Sequence, residues 1–326
     1  MNEALLETAR RELHQAHKIL VTTHVRPDGD AIGSLLGLGL ALQAIGKQVQ
    51  LISRDGIPAS MRYLPGSSQV VTQSNGVFDL EVVVDCSDVD RIGNGLVDHR
   101  IPDINIDHHI TNNRFARINL VQHDATATSE IIAQNLAKLD LPLTVLVASA
   151  LLMGILTDTI GFRTDNLTPQ TMRITAKLME AGANIHELYH RLLVQRTFPE
   201  AHYWGSGLSK LQRDRNLIWT TLTLEDRNKA DYPGSDDADL INILSTIEGA
   251  DIALVFIEQT HRHVKVSWRS QSGIDVSQVA VRFGGGGHKA AAGADVEGTL
   301  EDVQKDVLEA TQVLCVQEKV EIPSTF

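Results

Sequence analysis

The loop THVRPDGDA, Thr23 to Ala31, places an imidazole and two carboxylates, His24, Asp28 and Asp30, directly after an apolar run. A helix start needs one capping carboxylate, which leaves a second acid and a histidine to be explained. Carboxylate oxygen and imidazole nitrogen together suit a hard or borderline divalent cation. Asp85 at the end of VVVD, His108 in NIDHH and Asp158 in GILTDT offer further donors of the same kind. Brought together without cations, these carboxylates would repel one another and hold protons instead of charge. A single ion rarely takes so many protein ligands while keeping an open position; two ions share them, in sets of three and four, if Asp85 bridges. Ions paired in this way lie ~3.5–4 Å apart and clamp the attacking and leaving oxygens of a phosphoryl displacement. Hydrolysis is the chemistry to expect.

The doubled histidine of NIDHH adds a second demand. Successive side chains of an extended segment point to opposite sides, so His108 and His109 are expected to divide the work. His108 would grip metal and His109 would face substrate.

The elements of the chain must gather these residues. KILVTTH, QVQLIS, LEVVVD and DINIDHH are short apolar runs that read as strands. AIGSLLGLGLALQAIG, closed by Gly46, TSEIIAQNLAKL and VLVASALLMGIL read as helices. This alternation predicts an α/β fold, with a doubly wound, mostly parallel sheet covered on both faces. Ligands of such sheets bind outside the carboxyl ends of the strands, where His24, Asp85, Asp107 and His108 fall. Gly29 lets the first loop approach closely.

After a helical stretch starting near Thr168 the pattern resets between Arg191 and Gln212. The organisation expected is a metal-binding catalytic domain over 1–190, a helical linker over 191–212 and a smaller α+β domain over 213–326, with the active site in the interdomain cleft. In the last, NLIWTTLTL, ADIALVFIEQ and HVKVSWRS read as strands, and SDDADLINILSTI, DVSQVAVRF and LEDVQKDVLEATQVL as helices. RFGGGGHKAAAG reads as a glycine-rich turn whose bare N–H groups can surround an anion. Between His261 and Lys289 five Lys or Arg accompany one acid, Asp275, in a chain of net charge −12.

That net charge argues against a broad basic face, so no long duplex nucleic acid is an expected partner. Two cysteines, Cys86 and Cys315, exclude a disulfide framework and a four-thiolate zinc site, which points to a reducing cytoplasm. The charged N-terminal stretch is unlike a signal peptide, and the longest apolar run, Thr144 to Leu156, is too short to span a bilayer. No membrane partner is expected. Trp204, Trp219 and Trp268 could stack bases, yet core positions are the simpler account. His123 and Asp124 read as the approach to a helix, and Cys86 as a small buried apolar residue.

HVRPDGDA, VVVDCSD, NIDHH and GILTDT resemble, motif by motif and in the same order, the DHH phosphoesterase superfamily. VSWRSQSGIDV with FGGGGHKAAAG is similar to the DHH-associated C-terminal domain. The resemblance implies manganese-dependent cleavage of phosphoanhydrides or phosphodiesters by two Mn²⁺ ions, with Mg²⁺ or Co²⁺ as substitutes. It puts His24, Asp28 and Asp85 on one ion, and Asp30, Asp85, His108 and Asp158 on the other. Asp107 would orient its neighbours. Asp85 and His109 are the catalytic candidates, while Arg269, Gly286, Gly287 and His288 would hold the phosphate or terminal nucleotide of the substrate. Arg26 stands where many members carry Asn and is left out of the site.

Neither the additional nucleic-acid-binding domains of long-strand exonuclease relatives nor the sensory and transmembrane segments of membrane-bound phosphodiesterases are visible. The resemblance therefore implies the branch that hydrolyses RNA fragments a few nucleotides long and 3′-phosphoadenosine 5′-phosphate (pAp). Rival readings are a dinucleotide phosphodiesterase acting on pApA or cyclic di-AMP, a single-strand exonuclease and a pyrophosphate or polyphosphate hydrolase. A non-catalytic nucleotide sensor is the rival from another class, and retention of every candidate metal donor counts against it. A homodimer is compatible with the sequence.

Overall fold

The computed structural model describes residues 2–93, 101–270 and 273–321, without the side chains of His288 and of residues 315–321. The chain divides into one unit from Met1 to Gln195 and another from Arg196 to Phe326.

In the first unit α1 (Glu3–Gln15) precedes β1 (Lys18–Thr22), and α2 (Gly29–Ala44) leads to β2 (Gln48–Ile52). β3 (Val70–Val71), β4 (Leu80–Val84), β5 (Ile104–Asp107) and β6 (Ile118–Val121) complete a six-stranded sheet ordered β3-β2-β1-β4-β5-β6. Every pair in it is parallel. The order reverses at β1, so the carboxyl ends of β1 and β4 flank the switch point of a doubly wound sheet. α3 (Thr128–Asn135), α4 (Val145–Asp158), α5 (Pro169–Glu180) and α6 (Ile185–Tyr189) follow, and α6 runs into a π-helical turn at His190–Val194.

One face of the sheet, including Ile19, Val21, Leu51, Val82, Ile106 and Leu120, shares a single apolar cluster with α1 to α4. On the other face Leu20 and Ile52 meet Phe78, while Val83 meets Cys86 and Ile92. Two short strands were not legible. β3 has only two residues, and Asn119 interrupts the apolar run of β6 while bonding to the backbone of Ala116.

Helices α2 and α4 are apolar nearly all round, as buried helices are. Asp28 caps α2 by accepting a hydrogen bond from the N–H of Ala31 at 3.0 Å. The two helices cross where glycine removes the side chains. A Cβ at Gly33 would lie 2.7 Å from the Ala150 carbonyl, and one at Gly154 would lie 2.0 Å from Ser129 Oγ and 2.8 Å from Asp30 Oδ1. Close packing of α2, α3 and α4 thus fixes the floor beneath Asp30.

The second unit opens with α7 (Phe198–Leu208), which starts on a Thr197–Glu200 capping box. The segment 191–212 therefore holds a helix, and its Tyr203 is buried with Ile218, Leu222 and Leu240 in the core of this unit. Strands β7 (Gln212–Asp214), β8 (Leu217–Leu222), β9 (Ile252–Thr260), β10 (His263–Ser270), β11 (Gly286–His288) and β12 (Ala291–Glu297) form a second six-stranded sheet, ordered β11-β12-β10-β9-β8-β7. It is antiparallel except between β8 and β9. α8 (Leu224–Lys229), α9 (Leu240–Leu244), α10 (Ser277–Arg282) and α11 (Leu300–Glu321) complete an α+β unit. Trp219 and Trp268 belong to a core with α10 and α11, so neither is a base-stacking platform.

The glycine run differs from the turn expected. Gly286–His288 is an edge strand paired with β12, whose sequence AAGADVE is too poor in β-branched residues to read as a strand. Gly287 has φ 143°, and a Cβ there would lie 2.4 Å from the Ala291 carbonyl, whereas one at Gly286 would meet nothing within 4 Å. Among the described residues no helix is long and apolar enough to cross a membrane.

Candidate metal-binding active site

Five elements of the first unit bring the donors to one edge of the parallel sheet. His24 follows β1, Asp85 follows β4, Asp107 ends β5 with His108 next, Asp28 and Asp30 begin α2, and Asp158 ends α4. His24 Nε2 lies 3.6 Å from Asp85 Oδ2 and 4.0 Å from Asp28 Oδ1. His108 Nε2 lies 3.8 Å from Asp85 Oδ1 and 3.5 Å from Asp158 Oδ2. Three overlapping sets have all their donor atoms within 4.8 Å of one another: His24–Asp28–Asp85, Asp30–His108–Asp158 and Asp85–His108–His109.

Asp85 is common to two of these sets, and its backbone is unusual. Its φ of 55° lies in the left-handed region, uncommon for a residue other than glycine. Its N–H donates to the Ile106 carbonyl at 2.9 Å, and Thr128 Oγ1 donates to its Oδ1 at 3.0 Å. Strain held by surrounding bonds in this way collects at functional sites.

The histidines are oriented from behind. Nδ1 of His24 donates to the Val25 carbonyl at 2.8 Å, and Nδ1 of His108 to the Ala125 carbonyl at 3.3 Å. In that tautomer, assigned from these bonds, each Nε2 presents a lone pair to the carboxylates. His109 is different. Its Nδ1 donates to Asp107 Oδ1 at 2.7 Å, and Asn112 Nδ2 donates to Asp107 Oδ2 at 2.6 Å. Buried Asp107 therefore serves His109 rather than the donor sets, and the His109 nitrogen nearest Asp85 is already engaged.

The charges are badly balanced without cations. Asp30 accepts bonds from the N–H groups of Thr128 and Ser129 at 2.5 and 2.9 Å and from Ser34 Oγ at 3.2 Å. Burial, reinforced by Asp85, nevertheless pushes its carboxyl up to about 7. Burial, then Asp30 and Asp85, drives Asp158 well above the usual carboxylate range. For Asp85 burial also pulls upward, but His24, His108 and His109 outweigh it and hold the group well below that range. Burial lowers the three histidines, yet the neighbouring carboxylates raise each of them on balance. Crowded oxygen donors, two imidazole lone pairs and carboxyls forced to keep protons fit divalent cations, which would take the place of those protons.

Arg269 is half-buried on β10, where its Nε donates to Asn242 Oδ1 at 3.3 Å and its Nη1 to the Trp268 carbonyl at 3.0 Å. Burial lowers its guanidinium, against the pull of Asp237 and Asp239. Gly286 and Gly287 lie on β11 in the same unit, and the side chain of His288 is outside the described ones. Arg26, His123 and Asp124 are exposed. Cys86 is buried, with its thiol pushed up to about 12 by burial, and is chemically quiet. Residues not foreseen are Ser34, Thr128 and Ser129 beneath Asp30 and Asp85, Asn112 behind Asp107, and Gly154. The spacing Gly29, Gly33, Gly37 was a signal of close helix packing at that place.

Each unit matches a known domain family. Residues 18–155 match the DHH family, N-terminal domain, and residues 220–315 match the DHHA1 domain. The chain is 34% identical over 302 residues to the bifunctional oligoribonuclease and PAP phosphatase NrnA of Thermus thermophilus, covering 90% of this chain and 89% of that protein. It is 30% identical to the protein of the same name from Mycoplasma pneumoniae, covering 90% and 94%. Among solved structures, an exopolyphosphatase-related protein from Bacteroides fragilis matches with a TM-score of 0.87 and 25% identity, covering 98% of this chain and 97% of that one. RecJ from Thermus thermophilus in complex with Mn²⁺ shares the fold at a TM-score of 0.54 and 16% identity, covering 96% and 55%. The chain belongs to the DHH family and carries both its N-terminal domain and the DHHA1 domain.

Proposed function

We propose that this DHH phosphoesterase is manganese-dependent, hydrolyses oligoribonucleotides a few residues long to mononucleotides, and converts pAp to AMP and phosphate. The observation that carries the reading is the position of Asp85, shared between two donor sets, beside a third set whose carboxyls, Asp30 and Asp158, are pushed toward keeping their protons. The names of the relatives from Thermus thermophilus and Mycoplasma pneumoniae support the substrates.

His24, Asp28 and Asp85 would hold one divalent ion, and Asp30, Asp85, His108 and Asp158 the other. Ions bound there supply Lewis acidity and bring the ionisation of water within reach of neutral pH. His109, steered by Asp107, would donate a hydrogen bond or a proton to a phosphoryl or leaving oxygen. Thr128 and Ser129 hold the two buried carboxylates still. Arg269, Gly286, Gly287 and His288 of the second unit would bind a phosphate or the terminal nucleotide.

Initial rates with Mn²⁺ on pAp, pApA, a five-nucleotide RNA, a long single strand and polyphosphate test the reading. The expected result is turnover of pAp and the short RNA, with the long strand and polyphosphate at least about tenfold slower in kcat/KM, which corresponds to ~1.4 kcal/mol. Preference for the long strand or for polyphosphate would overturn it.

A further inference from the structure

Arg91 is a cation at the metal site that none of the donor sets uses. It lies in a short 3-10 turn after β4, Val89–Ile92, which Asp88 begins by accepting the N–H of Asp90 at 2.8 Å. The turn is rigidly placed. Ile92 is buried against Val83 and Cys86, and the Arg91 carbonyl accepts the N–H of Val25 at 2.7 Å, tying the Asp85 loop to the His24 loop. The guanidinium Nη2 reaches to 3.4 Å from His24 Nδ1.

That contact cannot be a lasting hydrogen bond. When Nε2 of His24 gives its lone pair to a metal, Nδ1 must carry the proton, and Val25 already accepts it at 2.8 Å. Two donors then face each other. The nearby Asp88 carboxylate is taken up by the Asp90 N–H and by Asn113 Nδ2, at 2.8 Å each. Among the described residues Arg91 makes no ion pair with a carboxylate within 4.0 Å, although it is exposed and the chain is acidic. A guanidinium fixed beside a metal ligand, with no carboxylate acceptor among the described residues, suits the paired oxygens of a phosphate.

We infer that Arg91 binds a phosphate of the substrate on the His24 side of the site. The inference rests on the proposed phosphoester function and adds a specificity residue from the first unit, separate from Arg269 and the glycine strand. Arg91 touches no candidate donor except His24, so its removal should leave metal in place.

The test is titration calorimetry of AMP and of adenosine into Mn²⁺-loaded wild type, Arg91→Ala and Arg91→Lys, with elemental analysis of each protein. Expected is an AMP Kd raised about tenfold or more in Arg91→Ala, partly recovered in Arg91→Lys, with metal content unchanged and adenosine binding unaffected. KM for pAp should rise by a similar factor while kcat changes less. An unchanged AMP Kd in Arg91→Ala overturns the inference, as does weaker binding that comes with loss of metal, since Arg91 would then act through His24. No AMP binding by the wild type also overturns it. A wild type that binds AMP but turns over no phosphoester defeats the functional reading instead, and the binding data still decide the role of Arg91.

Discussion

Asp85→Asn is expected to lower kcat/KM on pAp by about 10²–10³-fold or more, the loss typical of removing a charge-stabilising group from an active site. The expectation follows from the sharing of one side chain. Asp85 lies within reach of His24 on one side and of His108 and His109 on the other. Replacing one of its oxygens by an amide nitrogen keeps the shape but removes both the charge and one of its two donor oxygens. The three histidines would lose the carboxylate that draws them upward, and ions held on its two sides would lose their common ligand. Elemental analysis should show loss of metal together with loss of rate. Turnover within a few-fold of wild type would mean that Asp85 shapes the loop and does nothing more.

His108→Ala and His109→Ala should separate two roles that adjacent residues conceal. His108 sends Nε2 toward Asp85 and Asp158, whereas His109 bonds Asp107 through Nδ1 at 2.7 Å. The first variant is expected to lose metal and rate together. The second should keep its metal and lose about 10²–10⁴-fold in kcat, the range of a positioned proton donor. Asp107→Asn should follow His109→Ala with a smaller loss of about 10–100-fold, because it disturbs orientation only. Equal metal loss in the two histidine variants, read by elemental analysis, would reject the division.

The donors were legible because each stands at a place that pattern alone marks. His24, Asp85 and His108 end apolar β-rich runs, Asp28 and Asp30 begin a helix, and Asp158 stands where an apolar helix turns polar. What supports them was not legible. α2 and α4 are apolar nearly all round and present no single apolar face from which their neighbours could be inferred. That Gly154 leaves room for Ser129 and Asp30 depends on how three helices meet, which no local spacing states. Thr128 and Ser129 act through a backbone N–H and a hydroxyl from a helix that follows the sixth strand, and such groups carry no distinctive sequence signal. The run Gly286–His288 has the composition of a turn, and only the close approach of the β12 backbone makes it an edge strand.

Metal content measured against rate tests the central claim most directly. The protein is stripped with chelator, reloaded stepwise with Mn²⁺, and assayed at each step for bound metal and for hydrolysis of pAp. The expected course is no turnover in the stripped protein and recovery as donors on both sides of Asp85 fill, with His108→Ala unable to recover. Full turnover by the metal-free chain, or full recovery in His108→Ala, would contradict it.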